Sequence, residues 1–245
     1  MRTLIACMTF IQEPWQRDLL CAWYALATTL NPGTDLLIVD SASPIPPQSF
    51  LPGHWKIHAM ADDDEIPKHP GDQFMARFHN SLGHPFYDAV PMGAGSDRAQ
   101  VKIFEIAIAS GYDRAVYIEA DVLFVRPVEP WLERMTKPAA CPGMVNHGLF
   151  PESGLLFFDP AYFQSIDYVK RYNWRGPCFP EGEKRMWDIL GDQLEFLPLK
   201  GNRDGWGTEP EHLQERYPEG LDFLTHAKIE THREFLRLND FEGLL

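Results

Sequence analysis

Three short apolar runs constrain the fold of this chain more than any other feature. Leu4–Phe10, Leu36–Val39 and Ala115–Ile118 are nearly continuous apolar stretches, not alternating ones. A run of that kind suits a strand buried on both faces, the habit of parallel sheets covered by helices. Between the first two, Pro14 fits the first turn of a helix. Trp15, Leu19, Trp23, Leu26 and Leu30 then recur on one helical face until Asn31-Pro32-Gly33 stops it. A strand–helix–strand opening predicts an α/β fold: a mainly parallel, Rossmann-like central sheet with helices on both faces, of the nucleotide-binding sort.

The remaining elements follow from similar signals. Trp55–Met60 reads as a third strand, and within residues 66–96 the one pattern is a helix around Gln73–Leu82. A helix over Asp97–Ser110 ends at Gly111 in the C-terminal capping place, with Ile103, Phe104, Ala107 and Ile108 on its apolar arc. Arg98, Lys102 and Glu105 form an opposite stripe. Beyond Val125, Gly154–Phe158 and Leu194–Leu197 read as strands. Pro160–Tyr172, Glu183–Leu190 and Ile229–Leu238 read as helices.

Composition narrows the class. The 245 residues are 44% hydrophobic and 13% aromatic, enough for one substantial core and a single domain over residues 1–245. No stretch reaches the ~20 apolar residues of a membrane span. The amino-terminal run lacks a small-residue cleavage site, so it reads as a core strand in a cytoplasmic protein. Net charge is −13, and the cations occur as isolated pairs such as Arg98/Lys102 and Lys184/Arg185. That disfavours nucleic acid as a tightly held partner. Cys7, Cys21, Cys141 and Cys178 have no paired ligand spacing and read as buried free thiols.

The chemistry concentrates after the third apolar run. Glu119-Ala120-Asp121 ends it, and Val122-Leu123-Phe124-Val125 resumes. Two carboxylates one residue apart at a strand end can point to one side and share an ion, at the edge where open α/β sheets bind ligands. Asp62-Asp63-Asp64 has the same spacing, but Glu65 and a proline follow and no apolar strand resumes. It reads as a hydrated loop.

At this point the chain resembles a known group. Arg98-x3-Lys102, Val116-Tyr117-Ile118-Glu119-Ala120-Asp121-Val122-Leu123, Glu152-Ser153-Gly154-Leu155-Leu156-Phe157-Phe158 and Thr225-His226-Ala227-Lys228 stand in the order seen in GT-A glycosyltransferases. The pattern is most similar to the glycogenin-like branch and runs loosely from residue 3 to residue 228. Three departures mark it. Glu119 replaces the usual first Asp, Glu152 stands where an amide is common, and the segment after His226 lacks the Gly and Pro-Trp of the pattern.

The resemblance implies a metal-dependent transfer of a sugar from a nucleoside-diphosphate sugar to an acceptor hydroxyl. Residues 1–126 would form the donor-binding half and residues 127–245 the acceptor side. It implies a metal held by Glu119, Asp121 and His226. An imidazole beside carboxylates favours manganese over magnesium. Arg98 and Lys102 would reach the donor phosphates, Asp40 the nucleoside, with Thr9 beside it, and Lys228 the diphosphate. An inverting reaction would need a base facing the acceptor, with Glu152, Glu183 and Asp188 as candidates, whereas a retaining one would not. Trp206 offers an acceptor platform or an ordinary loop anchor. The acceptor could be a glycan, protein, lipid or modified base. Two other readings remain: a sugar-nucleotidyltransferase, opposed by Thr9–Pro14 in place of a glycine-rich basic loop, and a catalytically silent nucleotide-sugar-binding module.

Overall fold

The structure, a computed structural model, describes residues 1–82, 94–144, 150–175, 182–202 and 209–245. The chain opens with β1 (Thr3–Thr9), α1 (Pro14–Leu30), β2 (Asp35–Asp40), β3 (Lys56–Met60), β4 (Gln73–Phe78) and α2 (Ala94–Ala109). The middle carries β5 (Arg114–Ile118), β6 (Leu123–Phe124), α3 (Glu129–Arg134), β7 (Ala139–Met144), β8 (Phe150–Pro151) and β9 (Leu155–Phe158). It ends with α4 (Pro160–Ser165), α5 (Tyr168–Tyr172), α6 (Gly182–Leu190), β10 (Leu194–Leu197), α7 (Leu213–Arg216), β11 (Phe223–Leu224) and α8 (Ile229–Leu238). The main sheet runs β10-β7-β9-β5-β1-β2-β4-β3, with β8 paired to β7. Strands β3, β4, β2, β1 and β5 are mutually parallel, and β9 runs antiparallel to both its neighbours. This is the mainly parallel α/β sheet that the apolar runs imply.

Strand periodicity explains why those runs are continuous. Ile5, Cys7, Leu36, Ile38, Val116 and Ile118 face one side, where Leu19, Leu20, Trp23 and Leu26 of α1 cover them. Leu4, Ala6, Leu37, Val39, Ala115 and Tyr117 face the other, under Ile103, Phe104 and Ala107 of α2. Successive strand side chains alternate between faces, so a two-faced sheet leaves no polar position. Trp15, counted on the apolar face of α1, is 45% exposed, because it stands in the first turn at the helix end. On the second face Phe104 meets Tyr117, Phe158, Phe163 and Tyr168 edge-on, with ring centroids 5.0–6.5 Å apart. This aromatic cluster fastens α2 to β9, α4 and α5.

Several expected elements change. Gln73–Phe78 is a strand, not a helix, and pairs in parallel with β2 and β3. Its apolar residues 74, 75 and 78 fit a helical face and a buried strand equally, and two neighbouring strands decide the outcome. Pro160–Tyr172 forms two helices because Asp167 adopts φ +51°, a left-handed conformation that interrupts helical hydrogen bonding. Arg98 and Lys102 are buried. Gly111 follows α2 at φ +65°, as the capping position requires. Cys7, Cys21 and Cys141 are free thiols, whereas Cys178 and Trp206 lie outside the described residues. Among the described residues no helix is long and apolar enough to cross a membrane.

Candidate metal centre

Two short antiparallel ladders assemble the site at the carboxyl end of β5. Strand β9 pairs with β5 so that Leu155 faces Ile118. One further step along that register sets Gly154 against Glu119, whose N–H donates to the Gly154 carbonyl at 2.9 Å. Strand β11 pairs with β6, Leu224 facing Leu123 and Phe223 facing Phe124. Two more steps along that register set His226 against Asp121. The β-turn between the ladders is closed by the Val122 N–H donating to the Glu119 carbonyl at 3.0 Å.

The side chains converge accordingly. His226 Nδ1 donates to Asp121 Oδ2 at 2.7 Å, and its Nε2 stands 3.8 Å from Glu119 Oε2. The Tyr117 hydroxyl, two positions back on the same strand face, donates to Glu119 Oε1 at 3.1 Å. One potential ligand atom from each of Glu119, Asp121 and His226 lies within 4.8 Å of the other two. Metal–ligand bonds of about 2.0–2.6 Å allow ligand atoms of one ion to stand up to ~5 Å apart, so the donor set fits one cation. Carboxylates and imidazoles are ligands of divalent metals.

Electrostatics also mark the cluster as short of positive charge. Burial, and next the charge of Asp121, push Glu119 up to about 8. Burial works to raise Asp121, but the His226 hydrogen bond and charge hold it below the usual carboxylate range. Burial works to lower His226, yet the Asp121 hydrogen bond and the charges of Asp121, Glu119 and Glu152 push it up to about 9. The Cys7 thiol and Tyr117 phenol beneath are raised first by burial and then by these carboxylates.

Glu152 is fully buried beside the centre, and its Oε1 accepts from the Gly154 N–H at 3.0 Å. Glu183, on α6, accepts from the Ser153 hydroxyl at 2.8 Å. Asp188 stands five positions later, about 140° around the helix. Both its oxygens receive the Lys184 ammonium, at 2.7 and 2.8 Å, on an exposed face. Glu152 and Glu183 are thus tied to the segment flanking Glu119, and Asp188 is not.

The donor-side candidates occupy the same sheet edge in different ways. Thr9 and Asp40 end the adjacent strands β1 and β2, and they pair in register. Asp40 is fully buried, taking hydrogen bonds from the Ser43 N–H and hydroxyl and an ion pair from Arg77 at 3.0 Å. Its carboxylate therefore fixes the 41–43 loop. The Ser41 N–H closes that loop onto the Thr9 carbonyl at 3.0 Å. Arg98 is 1% exposed, lies 3.8 Å from the Phe78 ring centroid, and donates to the Asn80 carbonyl at 2.8 Å and to Asp62 at 3.3 Å. Lys102 pairs with Glu105 at 2.7 Å. Lys228 is exposed and pairs with Glu209 at 2.6 Å. In the acidic loop Asp62 is taken up by Arg98, and Asp63, 90% exposed, pairs with Arg175.

Two buried polar residues at the site carried no expectation. Asn202 is 2% exposed and pairs with both backbone groups of Thr225. His232 is fully buried against the Asp121 carbonyl. Neither lies in a recognisable motif, since each works through backbone far away in sequence.

No family model and no curated protein sequence matches the chain. Solved structures do. The apo structure of the bifunctional glycosyltransferase WbbM aligns with a TM-score of 0.58 at 11% identity, over 93% of this chain and 46% of that one. The galactosyltransferase LgtC, in complex with donor and acceptor sugar analogues, aligns at 0.56 and 11% identity, over 99% of this chain and 96% of that one. Streptococcus pneumoniae TIGR4 glycosyltransferase GlyE aligns at 0.52 and 11% identity, over 93% of this chain and 54% of that one. The chain thus spans about half the length of WbbM and GlyE and nearly all of LgtC. At such identities the likeness concerns architecture, and the architecture is that of a GT-A glycosyltransferase fold.

Proposed function

We propose that this chain is a metal-dependent glycosyltransferase acting on a nucleoside-diphosphate sugar and a hydroxyl acceptor. The observation that carries this reading is the meeting of Glu119, Asp121 and His226 within 4.8 Å at the end of a central strand of a GT-A fold. Bound there, a divalent cation, manganese by the donor set, would neutralise the diphosphate leaving group without proton transfer. Glu119, Asp121 and His226 would hold it as carboxylate, carboxylate and neutral imidazole.

The other residues take roles consistent with their surroundings. Thr9 and the loop fixed by Asp40 offer backbone to the nucleoside at the ends of β1 and β2. Arg98 fastens the loops after β3 and β4 on the donor side through Asn80 and Asp62, and Lys102 braces the same helix. Lys228 would exchange Glu209 for the donor diphosphate, placing its ammonium where negative charge develops. On the acceptor side Glu152 and Glu183 flank Glu119 through Gly154 and Ser153, and Asp188 lies further out on α6. The acceptor is a glycan or another hydroxyl compound.

The test is a panel of nucleotide sugars assayed for hydrolysis and transfer with manganese, magnesium or chelator. Manganese should support turnover best, and chelator should abolish it. Binding of a nucleotide sugar without turnover would favour the silent binding module. Neither binding nor turnover with any donor would sink the reading.

A further inference from the structure

The segment carrying His226 is held at points that take no part in ligation. Its backbone leaves the sheet ladder at Thr225, and His226 itself adopts φ +48°, a left-handed conformation that is strained for a non-glycine residue. Such a conformation persists only where surrounding structure over-determines it. Asn202 is one source of that constraint. Its Nδ2 donates to the Thr225 carbonyl at 2.9 Å, and its Oδ1 accepts from the Thr225 N–H at 2.7 Å. The side-chain amide thus acts as one more strand beside β11, continuing the bridge between Gly201 and Phe223. His232, six residues beyond the ligand on α8, is the other. Its Nε2 lies 3.2 Å from the Asp121 carbonyl oxygen and its Nδ1 lies 3.1 Å from that of Lys228.

We infer that Asn202 and His232 are positioning residues for the metal centre, fixing the backbone of both partners in the Asp121–His226 pair before a cation arrives. Asn202 sets the residue preceding the imidazole ligand. His232 joins the backbone of the carboxylate ligand to the helix that follows the imidazole ligand. A neutral imidazole carries one N–H. The Lys228 carbonyl has a donor of its own in the backbone N–H of His232 at 3.1 Å, so we place the imidazole proton on Nε2, facing the Asp121 carbonyl. Outer partners of this kind are worth about 10–100-fold in metal affinity. This inference rests on the metal reading above.

Manganese binding to the full chain, measured by calorimetry, tests it with four substitutions. Asn202→Asp keeps the shape and removes the donor to the Thr225 carbonyl, and should weaken binding about tenfold or more. His232→Gln keeps a donor near the Nε2 position and should bind close to the unsubstituted protein. His232→Asn keeps a donor only near Nδ1 and should weaken binding about tenfold. Asp121→Ala should abolish binding. If Asp121→Ala abolishes binding while Asn202→Asp and His232→Asn bind as the unsubstituted protein does, the positioning role is wrong and the metal site stands. If the unsubstituted protein binds no manganese, both fail. A measurement on the unsubstituted protein decides the matter even if the variants misfold. Amide exchange at Thr225 should already be slow without metal, whereas fast exchange that slows only with manganese would overturn preorganisation.

Discussion

Replacing Gly154 with alanine should damage the metal centre more than the fold. A Cβ at this position would stand 3.0 Å from Glu119 Oε2, 3.1 Å from Glu152 Oε1 and 3.1 Å from Val122 Cγ2. Ordinary contacts begin near 3.4 Å, so each neighbour must yield a few tenths of an ångström. The backbone is no obstacle, since Gly154 is not among the positive-φ glycines. Overpacking of this size costs about 1–3 kcal/mol. The reduced freedom of the unfolded chain returns about 0.4–1 kcal/mol. The net loss is then about 0–2.5 kcal/mol, and at 2–4 °C per kcal/mol for a chain of this length the melting temperature should fall by up to about 10 °C.

The larger effect falls on Glu119. Metal–ligand distances tolerate only about ±0.2 Å, so a carboxylate displaced by a few tenths of an ångström should weaken manganese binding about tenfold. Thermal melts in chelator report the fold, and calorimetric titration with manganese reports the site. Gly111→Ala serves as the control. Its φ is +65° with nothing within 4 Å of the added Cβ, so it should lose about 1–2 kcal/mol by backbone strain and keep full metal affinity. A Gly154→Ala protein that binds manganese as tightly as the unsubstituted chain would refute the close packing of Gly154 against Glu119.

Three further outcomes are expected. Asp121→Ala should melt near the unsubstituted protein in chelator but lose the manganese-induced rise, worth about 2.7 kcal/mol at a hundredfold excess over Kd. A surviving rise would remove Asp121 from the ligand set. Manganese affinity should increase from pH 6 to pH 9, because Glu119, raised to about 8, and His226, raised to about 9, must shed protons to ligate. Over the same window the metal-free protein should lose stability, since both groups bind protons more tightly folded than unfolded. A flat pH profile in both measurements would contradict the charge balance of the site. Asp40→Asn removes the counter-charge of Arg77 at a fully buried position. It should cost about 1–3 kcal/mol through weakened hydrogen bonding to the 41–43 loop while leaving manganese affinity intact, read by melting and titration together.

How much of this was legible in the sequence depends on the range over which each feature is decided. The apolar runs of β1, β2 and β5 declared a two-faced sheet because burial on both sides leaves its mark within four to seven residues. Glu119 and Asp121 were visible for the same reason, as two acids set into an apolar run. Residues 73–78 were ambiguous because the information that makes them a strand lies in β2 and β3, not in their own spacing. The surroundings of Arg98 were hidden because nothing local says that Phe78, Asn80 and Asp62 lie over it. His226 was found through a resemblance, and its approach to Asp121 depends on a ladder of two residue pairs joining segments about a hundred residues apart. Asn202 and His232 lie beyond both kinds of signal. Each binds a backbone group, and every residue has the same backbone groups, so no side chain at the far end betrays the contact. A hydrogen bond between two side chains constrains two sequence positions, but one from a side chain to a distant backbone constrains only one. Positioning residues that grip main chain are therefore the part of a metal site that folding must reveal.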